Sequence, residues 1–346
     1  MTRIDVTVRG AGAFGLGIAW ACARRGAKVR VIDPFGPGAG SSGGLVGALA
    51  PHVPENWTAK KQFQLDSLLM AADWWADIET ESGLSAGYGR LGRVQPLADE
   101  RAVALARGRE ITAAELWGDK AEWRVVEDGG EFAPLSPTGL YVHDTLSARM
   151  HPRKACLALA AAVRALGGEI VTEGSEEGVI LHATGIAGLE EMSAEVGCMI
   201  GVGVKGQAAL LDYDAGPVPQ VFADGVHVVP HADSTVAIGS TSEREYGDPT
   251  STDAALDEVI AAARAAVPAL ADAPVIERWA GVRPRSRSRA PMLGAWPGRP
   301  GHFIANGGFK IGFGMAPKVA EVMADLMLEG RDIVPEDFRA EALWPK

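Results

Sequence analysis

Six residues near the N-terminus, Gly10-Ala11-Gly12-Ala13-Phe14-Gly15, have the types and spacing to hold a phosphate on backbone alone. Gly10 suits a tight turn, Gly12 lets a pyrophosphate approach the main chain, and Gly15 lets a helix pack closely on a strand. Such a helix, with Ala13 and Phe14 in the turn before it, turns unpaired N–H groups and the positive end of its dipole toward the phosphates. Further on, Asp33 closes an apolar run and would accept hydrogen bonds from ribose hydroxyls, with Pro34 beside it.

These residues need particular elements to place them. Ile4, Val6 and Val8 alternate with polar residues and predict a short strand, although Arg9 stands where an apolar residue is usual. Leu16 to Arg25 reads as a small-residue helix stopped by Gly26, and Lys28 to Asp33 as a second buried strand. Strand, glycine turn, helix, strand and acid in that order form a dinucleotide-binding βαβ unit.

The remaining pattern is that of an ordinary soluble chain. At 346 residues it has ample core for two domains or one two-lobed unit, and 47% of its residues are hydrophobic. A net charge of −11 argues against a nucleic-acid partner. Cys22, Cys156 and Cys198 lack metal-ligand spacing and suit a reducing compartment. No apolar run is long enough to span a bilayer and none resembles an export signal, so the expected location is cytoplasmic.

Further along, Ser41 or Ser42 could cap a short glycine-rich helix over Gly43 to Leu49, a second close approach of backbone to the same ligand. Thr58 to Gly83 has the period of a long amphipathic helix whose Trp74 and Trp75 belong to the core. Strands are predicted at Leu91–Pro96 and Glu122–Val126 around a helix over Asp99–Arg109. His151 to Leu166 reads as a helix, with strands at Glu169–Thr172 and from Val179 into the turn His182-Ala183-Thr184-Gly185. Gln207–Leu211, Val226–Pro230 and Val236–Ser240 then suggest an antiparallel sheet with one helix, Thr252–Val267. Phe303–Asn306 leads through Gly307-Gly308-Phe309-Lys310-Ile311-Gly312-Phe313-Gly314 into a last helix from about Met315 to Leu328.

Taken in order, GAGAFG with Asp33, SSGGLVGALAP, HPRKACLALAAAVRALGGEI, HATG, VKGQ, VHVVPH, WAGVRPRSRSRAPMLG and NGGFKIGFGMAP resemble the FAD-dependent D-amino acid oxidase superfamily, above all its glycine oxidase and sarcosine oxidase branches. The resemblance implies an α/β fold with a discontinuous Rossmann-like FAD-binding domain (1–84, 138–204 and 277–346) and an antiparallel-sheet substrate domain (85–137 and 205–276). It makes Ser41, Ser42, Gly47, Ala48 and Leu49 flavin neighbours, puts Ala183 and Gly185 near the nucleotide, and sets Gly308, Phe309, Ile311, Gly312 and Phe313 at the isoalloxazine ring. The implied reaction is oxidation of a C–N bond in a small amino acid or amine, by hydride transfer to flavin N5. Oxygen or an electron carrier would then receive the electrons. Arg283 aligns with the arginine that amino acid oxidases use on the substrate carboxylate, which a guanidinium can hold through two parallel bonds. Lys310 matches the lysine of the sarcosine oxidase pattern.

Two departures bear on the cofactor. No cysteine lies between Arg283 and Gly294 to tether a flavin, so non-covalent FAD is expected. The stretch from Thr172 to Val179 is too short for the β-meander that relatives place over the adenine. Arg285, Arg287 and Arg289 alternate with serines and could line one face of a strand or simply face solvent, while His52, His182 and His231 read as structural. Alternatives are a dehydrogenase feeding a quinone or carrier, a tRNA-modifying FAD oxidase, a non-catalytic flavin protein, and an NAD-dependent enzyme. Tyr246 and Trp279 are candidate pocket residues.

Overall fold

The computed structural model describes residues 3–345. Its strands in the first half of the chain are β1 (Val6–Arg9), β2 (Val29–Ile32), β3 (Ala48–Leu49), β4 (Arg93–Pro96), β5 (Trp123–Val126), β6 (Tyr141–Asp144), β7 (Ala148–Arg149) and β8 (Glu169–Val171). The second half contributes β9 (Val179–His182), β10 (Gly201–Asp212), β11 (Gln220–Ala223), β12 (Val226–Pro230), β13 (Thr235–Gly239), β14 (Val275–Ser286), β15 (Met292–Ala295) and β16 (His302–Asn306). The helices are α1 (Ala13–Arg24), α2 (Ala59–Ser82), α3 (Glu100–Trp117), α4 (Pro152–Ala165), α5 (Gly185–Val196), α6 (Ala254–Ala266) and α7 (Gly312–Ala324).

Two sheets carry the molecule. The first runs β15-β16-β9-β1-β2-β8, parallel throughout except for the edge pair β15·β16. Parallel strands need both faces covered, and α1, which is buried along almost its whole length, packs against α4 and α7 beneath it. Small residues make that depth possible: Gly17 leaves the ring of Trp74 room to approach, and Trp20, Trp74 and Trp75 interlock edge-to-face. Helix α2 closes this layer, held by Thr58, whose side chain caps its start, and by Gly83 in the left-handed conformation at its end.

The second sheet runs β14-β10-β13-β12-β11-β4-β6-β5. It is antiparallel at every pairing except β11·β4, which is parallel. The expected antiparallel sheet is therefore a mixed one. A separate apolar core forms where α6 lies on it, with Leu256, Ile260 and Ala263 against Ala209, Leu211, Val228 and Ile238. Three stretches expected on the nucleotide side, 141–144, 201–204 and 277–286, pair in this sheet as β6, the start of β10 and most of β14. Long-range pairing moves them: β14 follows β10 in register from Gly201↔Ser286 to Gln207↔Ala280.

Other elements depart from expectation for similar reasons. No helix forms over Gly43 to Leu49; a single 3-10 turn, Ser41–Gly43, is followed by β3, which pairs with β7. Glycine is a poor helix former, and here its use is contact. A side chain on Gly43 would strike the Gly38 carbonyl oxygen, and one on Gly47 the Met150 carbonyl oxygen. Helix α3 runs on to Trp117, α7 begins at Gly312 rather than Met315, and α5 and β11 had no clear signal in the sequence. The turn between β8 and β9 contains no meander. Thr7 Oγ1 donates to the Glu177 carbonyl (2.7 Å) and accepts from its N–H (2.9 Å), while Arg30 pairs with Glu177 (3.0 Å) and Arg9 with Glu176 (3.4 Å).

Candidate active site

A cleft of about 480 Å³ opens at the carboxyl ends of β1, β2 and β9. Gly10 takes φ +103°, and a side chain there would strike the Ala183 carbonyl oxygen. Gly15 packs under the turn, where a side chain would enter the Gly10 carbonyl oxygen; it does not line the cleft. Gly12, Ala13 and Phe14 do line it, and the Ala13 N–H donates to Ser42 Oγ (3.1 Å). Asp33 accepts from the N–H groups of Ala11 (2.8 Å) and Phe35 (2.9 Å), so it ties the turn to the loop that carries Pro34. Ala183 and Gly185 form the opposite wall, where Asn306 Nδ2 donates to the Gly185 carbonyl (2.9 Å).

A second cavity of about 380 Å³ continues from the first through a shared wall of Ala13, Ser41, Ser42, Phe309 and Gly312. Gly47, Ala48, Leu49, Phe313 and Trp279 line it, as do two cations, Arg283 and Lys310, and no described lining residue is acidic. Arg283 comes from β14 and lies across Gly206 of β10, where a Cβ would stand 2.5 Å from Nη2. Its Nη1 donates to Ser240 Oγ (2.8 Å), and its Nη2 donates to the carbonyls of Thr241 (2.7 Å) and Lys205 (3.3 Å). The terminal nitrogens are therefore largely engaged, while Nε is buried without a partner. Arg283 thus offers charge and single donors to this cavity, not the open two-bond fork expected from the sequence. Burial pushes its pKa down to about 10, with Glu243 opposing. Burial, and then Arg283, also lower that of Lys310.

The loop between the cavities is pinned to β14. Phe309 has φ +45° and its N–H donates to the Pro284 carbonyl (3.0 Å). Arg283, Arg285 and Lys310 surround its ring at 5.5, 5.7 and 5.7 Å from the centroid, within cation–π range. Helix α7 starts directly after this loop with no side-chain cap and no acid in its first turn, as does α1.

The sequence pattern of the FAD dependent oxidoreductase (DAO) family matches residues 5–326. The chain belongs to that family. This FAD-dependent oxidoreductase is similar to the bifunctional protein ThiO/ThiG of Nostoc sp., at 26% identity over 356 residues, 95% of this chain and 53% of that protein. It is 38% identical over 132 residues to the glycine oxidase of Pseudomonas aeruginosa, a match covering 38% of this chain and 36% of that one. The chain thus spans about half the length of the first relative, and the second match about a third of its partner. Among solved structures, glycine oxidase from Geobacillus kaustophilus shares the fold with a TM-score of 0.85, over 98% of this chain and 99% of that one, at 20% identity.

The residues of the first cleft fit FAD. A glycine turn in which side chains would strike backbone, two helix starts with N–H donors and no side-chain cap, and a carboxylate acceptor past the second strand suit a dinucleotide diphosphate and its ribose. Of the residues expected from the sequence, Gly308, Phe309 and Gly312 line this cleft, but Ile311 lines neither cavity; it precedes α7 with its side chain against the core. The arginine run splits, because β14 ends at Ser286. Arg285 stays by Phe309, while Arg287 turns to the Leu343 carbonyl (2.8 Å) and Arg289 is exposed with φ +61°. Trp279 lines the second cavity, whereas the Tyr246 hydroxyl faces Gly203. Sequence reading missed Leu45, Val46, Phe222, His227 and Ser240. His227 between Val226 and Val228 carried only the signal of strand alternation.

Proposed function

We propose that this oxidoreductase oxidises the C–N bond of a small amino acid (a D-amino acid, glycine or an N-methyl glycine), with oxygen as acceptor. The observation that carries the reading is the pairing of Arg283 and Lys310 in an acid-free cavity that opens into the nucleotide cleft. FAD, when bound, supplies the hydride acceptor. Two half-desolvated cations attract one carboxylate strongly, since charge-assisted contacts gain as water is excluded. The same field repels an ammonium group, so the substrate enters with its amine unprotonated and no dedicated base is required. Leu45, Phe222, Trp279 and Phe313 supply apolar wall around the reacting carbon. The uncapped start of α7 adds positive potential to the wall shared by the two cavities.

We read the FAD as non-covalent, because none of the three cysteines lines either cavity. Cys22 and Cys156 are buried, and burial pushes each thiol up to about 12, where it is unreactive. The deciding experiment mixes the yellow holoenzyme anaerobically with D- and L-amino acids, glycine and N-methyl glycines while following flavin absorbance. Rapid bleaching by a member of this panel is expected, with peroxide formed once air is admitted. A flavin left oxidised by the whole panel refutes the proposal, and dye reduction without peroxide moves the acceptor to a carrier.

A further inference from the structure

One polar group in the second cavity is used by nothing described so far. His227 lines the cavity from β12, with its ring against Phe222 of β11 at 4.6 Å between centroids. The two residues are direct cross-strand partners, so the ring is held by the sheet. Its Nδ1 is buried without a hydrogen-bond partner, so no protein group occupies that nitrogen or fixes the ring's tautomer. Burial, with Arg93 and Lys310 nearby, pushes its pKa down to about 3, and the ring is neutral. A neutral imidazole both donates and accepts.

The substrate supplies a matching need. Its carboxylate is met by Arg283 and Lys310, but its amine N–H has no lining carboxylate to donate to. Of the lining hydroxyls, Ser41 and Ser42 stand in the wall shared with the first cleft, Ser42 Oγ already accepts from the Ala13 N–H, and Ser240 Oγ accepts from Arg283, whereas the imidazole lies on β12, outside that wall. We infer that His227 accepts a hydrogen bond from the substrate's amine and so sets the nitrogen's position, selecting amines that retain an N–H. This rests on the amino-acid reading above and adds to it a preference for primary and secondary over tertiary amines.

The test uses the holoenzyme, the best reductant of the anaerobic panel, that reductant's N,N-dimethyl derivative, and acetate as an amine-free anion. Binding is read from the perturbation of the flavin spectrum, and reduction from bleaching. His227→Phe should weaken the N–H-bearing reductant about tenfold, the worth of one hydrogen bond, abolish the preference over the dimethyl derivative, and leave acetate unchanged. His227→Leu repeats the comparison with a smaller apolar group should phenylalanine disturb the sheet, and His227→Gln should restore part of the preference. Equal losses for acetate and reductant, an intact preference in both apolar variants, or a glutamine variant as indifferent as phenylalanine would overturn the inference alone. A wild-type flavin bleached by no amino acid overturns the functional reading first, and needs no variant to show it.

Discussion

Arg283 is the residue on which most of the second cavity depends. Arg283→Met removes the charge and leaves Ser240 and the Thr241 and Lys205 carbonyls without their donor. Acetate affinity should fall roughly 10- to 100-fold, as for other charge-assisted contacts, with FAD still bound. The pH dependence follows from the same burial. Arg283, lowered to about 10, and Lys310, lowered from the usual lysine value, are both protonated at neutral pH. On the proposed function, carboxylate binding should be strongest there and weaken as the pH rises through the lowered titration range of Lys310, while the guanidinium keeps its charge; in Lys310→Met that alkaline loss should disappear. An acetate titration at successive pH values measures both. At this scale the sequence was uneven to read. Arg283 and Lys310 stood in recognisable local motifs, but the atoms that occupy the guanidinium come from segments some forty and eighty residues away. No local pattern announces such neighbours. His227 was invisible for the same reason, since a single histidine in an apolar strand has a meaning only once its partner strand is known.

Elements are where glycine decides. Gly206 of β10 exists as open space for the Arg283 side chain, so Gly206→Ala should displace the guanidinium and reproduce most of the acetate loss of Arg283→Met while FAD affinity holds. Gly15→Ala acts on the other cavity: its methyl group meets the Gly10 carbonyl oxygen and separates α1 from the turn. FAD dissociation, followed by fluorescence of the released flavin, should then be weaker-binding by roughly tenfold or more, because the third glycine sets helix–strand distance. The first βαβ unit was legible because all its determinants lie within one short stretch. The misread helix over Gly43 to Leu49 shows the limit. Its glycines answer to the Gly38 and Met150 carbonyls, so local propensity described the wrong constraint. The pairing of β10 with β14, which drew 277–286 into the second sheet, is likewise a contact between distant segments.

The whole molecule sets long-range charge against local charge. With a net −11, the chain repels an anion from afar, while its second cavity presents Arg283 and Lys310 with no acid among its described lining residues. Raising salt from about 0.01 M to about 0.15 M shortens the screening length from about 30 Å to about 8 Å. Acetate association, measured by stopped flow, should therefore accelerate with salt, the reverse of ordinary attraction between opposite charges. Stability has its own acid limit. His182 and His231 are buried and neutral, each lowered to about 4, chiefly by burial. Unfolded histidines bind protons near 6.5, so the unfolded chain takes up more protons than the folded one below that value. Stability is full above it and declines as the pH falls toward 4, which a series of thermal melts would record as a falling Tm. The turn between β8 and β9 has a last consequence. Stitched down by Thr7 and Arg30, it brings no further cover to the Asp33 end of the cleft, where Phe35 stands 85% exposed. So open an end should let FAD leave on dilution and return when FAD is added, which the flavin absorbance of protein passed through gel filtration with and without FAD in the buffer would measure.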